Sequence, residues 1–114
     1  MSPRDAASLR DIVEATRIVR SYVAGKTQDQ FLADPILQDA VVRRLEIIGE
    51  AARGISPEGL REAPQLPWAR MVAMRNRIIH GYDEVDLGIV WETVANDLPA
   101  LATALEAALQ TLAK

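Results

Sequence analysis

The chain contains no cysteine, a single histidine, two lysines and 4% aromatic residues, and each scarcity removes a class of chemistry. Without cysteine there is no disulfide, no thiolate metal site and no cysteine nucleophile. Apart from Lys26 and Lys114 every cation is an arginine, several of them between Arg43 and Arg77. The formal charge of −3 argues against broad, non-specific binding to a polyanion, so any such attraction has to be local. The start, Met1-Ser2-Pro3-Arg4-Asp5, is polar and leads into no long apolar run. No signal peptide, membrane span or membrane partner is therefore expected, and a cytoplasmic location follows as the expectation.

With 114 residues and 49% apolar content, the sequence predicts one domain over 1–114 with a single core. From Asp5 to Ala24, Leu9, Ile12, Val13, Val19 and Val23 recur at helical spacing, and Gly25 is placed to end that helix. Lys26 to Gln30 reads as a polar connector. Asp34-Pro35 has the form of an N-cap with a first-turn proline, opening a helix whose stripe is Leu37, Val41, Leu45, Ile48, Ala52 and Ile55. Ser56-Pro57-Glu58 predicts a short helical turn within a proline-rich loop.

A further helix is expected from Pro67-Trp68 to about His80-Gly81, with Trp68, Met71, Val72, Ile78 and Ile79 as core positions. Asp86 is a natural cap for the last helix, where Leu87, Trp91, Val94, Leu98, Leu101, Leu105, Ala108 and Leu112 are spaced like a heptad seam. Pro99 should kink it. The fold class is thus all-α, a compact antiparallel bundle of four main helices plus a short helical turn, and no strand pattern competes.

Candidate chemistry concentrates in Met74-Arg75-Asn76-Arg77-Ile78-Ile79-His80-Gly81-Tyr82. Histidine moves protons near neutral pH, and arginine presents a permanent fork of donors to phosphate oxygens. On an ideal helix Arg75 and His80 are about 140° apart, so the two can meet one phosphate only if the helix loosens at His80. Asn76 could orient the imidazole or bind substrate, and Arg77 is a weaker candidate for holding a phosphate backbone. Such a set suits RNA cleavage without a metal. His80 would remove a 2′-hydroxyl proton, and Arg75 would stabilise charge on the phosphoryl oxygens. One histidine cannot be base and acid at once, which favours a two-fold dimer.

The same residues admit a structural reading. A lone histidine before a glycine can simply cap a helix, Arg75 and Arg77 can be solvated, and Tyr82 can be an ordinary amphipathic residue. Glu46 and Glu50 share a face, but Arg43 and Arg53 are spaced to pair with them, so ion pairing is favoured over an acid–base role, with Glu50 facing the groove. Asp83, Glu84 and Asp86 read as solvated caps, and no metal site or cofactor is expected.

The run from Arg75 to Tyr82 resembles the Arg-x4-His-x-Tyr signature of HepT-like toxins, a branch of the HEPN ribonuclease superfamily. Glu46-Ile47-Ile48-Gly49-Glu50-Ala51, Pro67-Trp68, Val90-Trp91 and Asp97-Leu98-Pro99 are similar to that family as well. The resemblance implies a HEPN-like helical bundle acting as a homodimeric, metal-independent ribonuclease toxin. In it Arg75 and His80 match the catalytic pair and Asn76 the polar residue after the arginine. Tyr82 matches the tyrosine to which a cognate MntA-like minimal nucleotidyltransferase antitoxin transfers AMP. An alternative from another class is a non-catalytic helical adaptor of a nucleotidyltransferase, or a nucleotide-binding module, using Arg75 and His80 only as a phosphate grip. A third is an interaction subunit whose motif stabilises a helix end.

Overall fold

The computed structural model describes residues 1–80 and 84–112, with the side chains of Ile79, His80, Glu84 and Leu112 outside that description. Four long helical segments form the bundle. They are α1 (Pro3–Val23), α3 (Pro35–Arg53), α5 (Trp68–Ile78) and a terminal segment made of α6 (Leu87–Glu92), a π-helical turn (Thr93–Asp97) and α7 (Leu98–Leu112). Two short helices, α2 (Gln28–Leu32) and α4 (Pro57–Glu62), fill the connections. The antiparallel strands β1 (Ile79–His80) and β2 (Glu84–Val85) pair Ile79 with Val85 and His80 with Glu84. The all-α class holds, with this minimal ladder added.

Local chemistry sets most boundaries. The Ser2 hydroxyl accepts from the Asp5 amide and starts α1, and Gly25, at φ 73°, turns the chain after it. Asp34 caps α3 through the Leu37 amide at 3.1 Å, with Pro35 in the first turn, and Asp86 caps α6 through the Ile89 amide at 3.1 Å.

The connector expected at Lys26 to Gln30 is in part a helix. Thr27 and Gln30 form a reciprocal capping box that starts α2, which carries the fully buried Phe31 into the core. Phe31 meets Trp91 with ring centroids 5.5 Å apart, fastening α2 to α6. The Gln38 amide group donates to the carbonyls of Phe31 and Leu32, so α3 also holds the end of α2.

α3 lies at the centre of the bundle, packed between α1 and α5. Its stripe residues Val41, Leu45 and Ile48 are fully buried against Ile12, Val19, Met71 and Ile78. In the last helix Val94, Leu98, Leu101, Leu105 and Ala108 are buried, so the heptad-like seam is bundle core. Before Pro99, where a kink is expected, the helix widens into the π turn. The Leu98 amide reaches five residues back to the Thr93 carbonyl, and the wider turn accommodates a residue that cannot donate.

A buried carboxylate ties the amino-terminal helix to α4. Asp5 is only 2% exposed, accepts from the Ser56 amide at 3.0 Å and from the Ser56 hydroxyl, and packs where a side chain at Gly59 would collide with it. The Ser56 oxygen in turn accepts from the Gly59 amide, capping α4. These bonds to Ser56 hold the Asp5 carboxyl below its ordinary value near 3.8.

Candidate active site

α5 carries the candidate residues, and its rotation decides which neighbour each one meets. Met71, Met74 and Ile78 face the core, which places Arg75 at the seam with α3, half-buried. The two helices approach closely there. A Cβ at Gly49 of α3 would overlap the Arg75 stem, with Cγ at 2.9 Å, so the absent side chain at 49 is the space that the arginine occupies.

Beside Gly49, Glu50 sets Oε1 3.2 Å from the Arg75 Nε. The distance is that of an ion pair, but the N–H does not aim at the oxygen, and Nε is buried with no well-aligned acceptor among the described residues. Arg75 Nη1 donates to Asn76 Oδ1 at 3.3 Å. Asn76 is exposed and acts on the arginine, one residue away, in addition to whatever it offers beyond the protein. Glu46 keeps its local partner Arg43 at 4.0 Å. Glu50, expected to pair locally with Arg53, is instead the partner of Arg75, because α5 packs against that face of α3.

Arg77 is separated from Arg75. Two residues turn an ideal helix by about 200°, so the two guanidinium groups leave opposite sides of α5. Arg77 joins Arg70, one heptad earlier, on a groove of about 590 Å³ between α5 and the terminal segment, where Met74, Asn96, Asp97 and Leu101 also line the wall.

The helix ends at Ile78, two residues before the expected stop. His80 therefore belongs to an extended segment, its backbone opposite Glu84. Helical spacing from Arg75 no longer governs its position. The Ile78 carbonyl accepts from the Asp86 amide at 3.3 Å, closing the ends of the connection. The His80 imidazole lies outside the described residues, as do Tyr82, the expected modification site, and Asp83. The Asp86 side chain is used as a helix cap.

Gly49, whose missing side chain leaves room for the Arg75 stem, is a residue that the reading of the sequence did not assign. It lay within a stretch already singled out, yet nothing in one chain says which glycine of a helix faces another helix.

Fold and site together define a small all-α bundle of HEPN-like type, in which an arginine near the end of α5 packs on a glycine–glutamate step of α3. The family model described as ribonuclease HepT-like matches residues 12–108. Among similar proteins is a probable ribonuclease HepT from Thermococcus cleftensis, 41% identical over 93 residues, covering 82% of this chain and 84% of that one. Another, from Methanocaldococcus jannaschii, bears the name "Gamma-glutamylcyclotransferase and putative RNase". It is 41% identical over 93 residues and 82% of this chain, which spans only 42% of that longer protein. A "Putative RNase" from Caldanaerobacter subterraneus is 34% identical over 102 residues, covering 90% of this chain and 91% of that one. No solved structure matches the chain. The chain belongs to the HepT-like ribonuclease family.

Proposed function

We propose that this protein is a ribonuclease toxin that cleaves RNA without a metal ion, with Arg75 and His80 as its catalytic pair. The observation that carries the reading is the half-buried arginine, held against α3 five residues before the chain's single histidine, in a chain whose match to the HepT-like family spans the motif. His80 takes the proton from a ribose 2′-hydroxyl, and that oxygen forms a bond to the adjacent phosphorus as the bond to the 5′-oxygen breaks. The products are a cyclic 2′,3′-phosphate and a free 5′-hydroxyl, and Arg75 stabilises the charge that builds on the non-bridging oxygens. The leaving oxygen needs a proton. A second copy of His80 supplies it in a two-fold homodimer.

The regulatory part of the reading concerns Tyr82. A minimal nucleotidyltransferase of the MntA type would join the tyrosine oxygen to the α-phosphorus of ATP, releasing pyrophosphate. The attached AMP, two residues from His80, would block RNA by bulk and by like charge. Tyr82→Phe should escape this silencing, and full neutralisation of that variant would remove the modification from the proposal.

The deciding experiment is cleavage of tRNA in EDTA by protein whose intact mass shows no adduct, comparing wild type with His80→Ala and Arg75→Ala. Cleavage by wild type alone supports the enzyme. No cleavage by adduct-free wild type, with affinity for a nucleotidyltransferase retained, would favour the non-catalytic adaptor.

No helix among the described residues is long and apolar enough to cross a membrane.

A further inference from the structure

We infer that Glu50 is the positioning residue for Arg75, and that the Gly49-Glu50 step of α3 is the cradle that aims the guanidinium. The inference rests on the reading of Arg75 as the group that stabilises the phosphoryl oxygens. Three observations support it. The Arg75 stem occupies the space that a side chain at Gly49 would fill, which fixes its root. Glu50 Oε1 lies 3.2 Å from Nε, opposing the positive charge from the α3 side. Asn76 engages Nη1 from the α5 side, so the fork is approached by two acceptors on two helices.

A long arginine on a helix surface samples many rotamers, and ordering it costs side-chain entropy. Contacts made before substrate arrives remove that cost from the reaction step, because the donors already point where charge will develop. Glu50 is 54% exposed, so it carries little of the core. Its Nε contact is also poorly aligned for a hydrogen bond. That geometry suits a partner that restrains the arginine and still lets a phosphate compete for its donors.

Two other roles are chemically distinct and testable. A carboxylate beside an arginine could carry a proton itself, or it could occupy the arginine and oppose substrate. The test is RNA cleavage by full-length Glu50→Ala, Glu50→Gln, Arg75→Ala and the Arg75→Ala/Glu50→Ala pair, with kcat and KM resolved and pH profiles recorded. If Glu50 positions Arg75, Glu50→Ala lowers kcat by about 10- to 100-fold, the scale of a misplaced catalytic group, while KM changes little. Glu50→Gln keeps most of the rate, since its amide oxygen can still face Nε. Adding Glu50→Ala to Arg75→Ala then costs nothing more.

Full activity of Glu50→Ala beside an inactive Arg75→Ala overturns the inference and leaves the proposed function standing. So does a Glu50→Gln as inactive as Glu50→Ala with one limb of the pH profile gone, which would make Glu50 a proton carrier. A lower KM in Glu50→Ala would make it a competitor of substrate. Unimpaired cleavage by Arg75→Ala removes the catalytic role of Arg75, and the inference with it. A readout free of turnover is the Nε–H resonance of Arg75 in nitrogen-labelled protein. It should move in Glu50→Ala, and an unmoved signal also counts against the contact.

Discussion

Gly49→Ala separates helix propensity from helix packing. In a helix interior, alanine is favoured over glycine by about 1 kcal/mol, so propensity alone predicts stabilisation. The contact with α5 predicts the reverse. The new methyl would meet Cβ and Cγ of Arg75, with the Met71 carbonyl 3.4 Å away. Those are the root of a side chain and a backbone atom, and neither can swing clear as the tip of a flexible side chain would. Overpacking of this kind costs about 1–3 kcal/mol, which leaves a net loss of up to about 2 kcal/mol after the propensity gain. For a domain of this size that is a fall in Tm of up to about 8 °C. Gly88→Ala is the matched control, since its methyl would come no closer than 3.4 Å to Asp86 Oδ1, and it should hold or raise Tm. The assay is thermal unfolding followed by far-ultraviolet circular dichroism, with RNA cleavage measured well below the transition. Activity of Gly49→Ala should fall at temperatures where the protein is folded, because Arg75 is displaced. A Gly49→Ala protein that gains stability and keeps full activity would refute the close-packed cradle.

Three further outcomes are expected. Phe31→Ala should lose about 3–5 kcal/mol in denaturant unfolding, because Phe31 is fully buried and is the contact of α2 with Trp91. An unchanged midpoint would mean that α2 is dispensable. The folded-state value of Asp5 lies below its ordinary 3.8, so its stabilising effect is complete above that pH and is lost as the pH falls through the lower folded value. Asp5→Asn should thus weaken the protein at neutral pH and flatten the loss of stability in acid, as measured by denaturant titrations across a pH series. Arg75→Ala should also reduce the slope of log affinity for single-stranded RNA against log salt by about 0.7, the release from one phosphate contact. An unchanged slope would place the arginine away from the phosphate.

Much of this protein was legible in the order of its residues. Asp34-Pro35, Ser56-Pro57 and Asp86 announce helix starts through side-chain oxygens that serve amides only a few residues away. The stripe Val41, Leu45 and Ile48 and the seam from Val94 to Ala108 follow helical period, so the core could be named before any fold was known. The motif from Arg75 to Tyr82 stood out because it holds the only histidine. What one chain cannot specify is which faces of different helices touch. Helical spacing points Glu50 to Arg53, three residues away, whereas its partner Arg75 lies twenty-five residues along, on α5. Asp5, in a polar and charged start, is buried and bound by Ser56, fifty-one residues distant. Arg75 and Arg77 look like a pair in sequence and leave opposite sides of one helix. Propensity, capping and period are decided within a turn or two of backbone. The surroundings of Arg75 are decided by the rotation and closeness of α3 against α5, and these follow from packing the whole core at once.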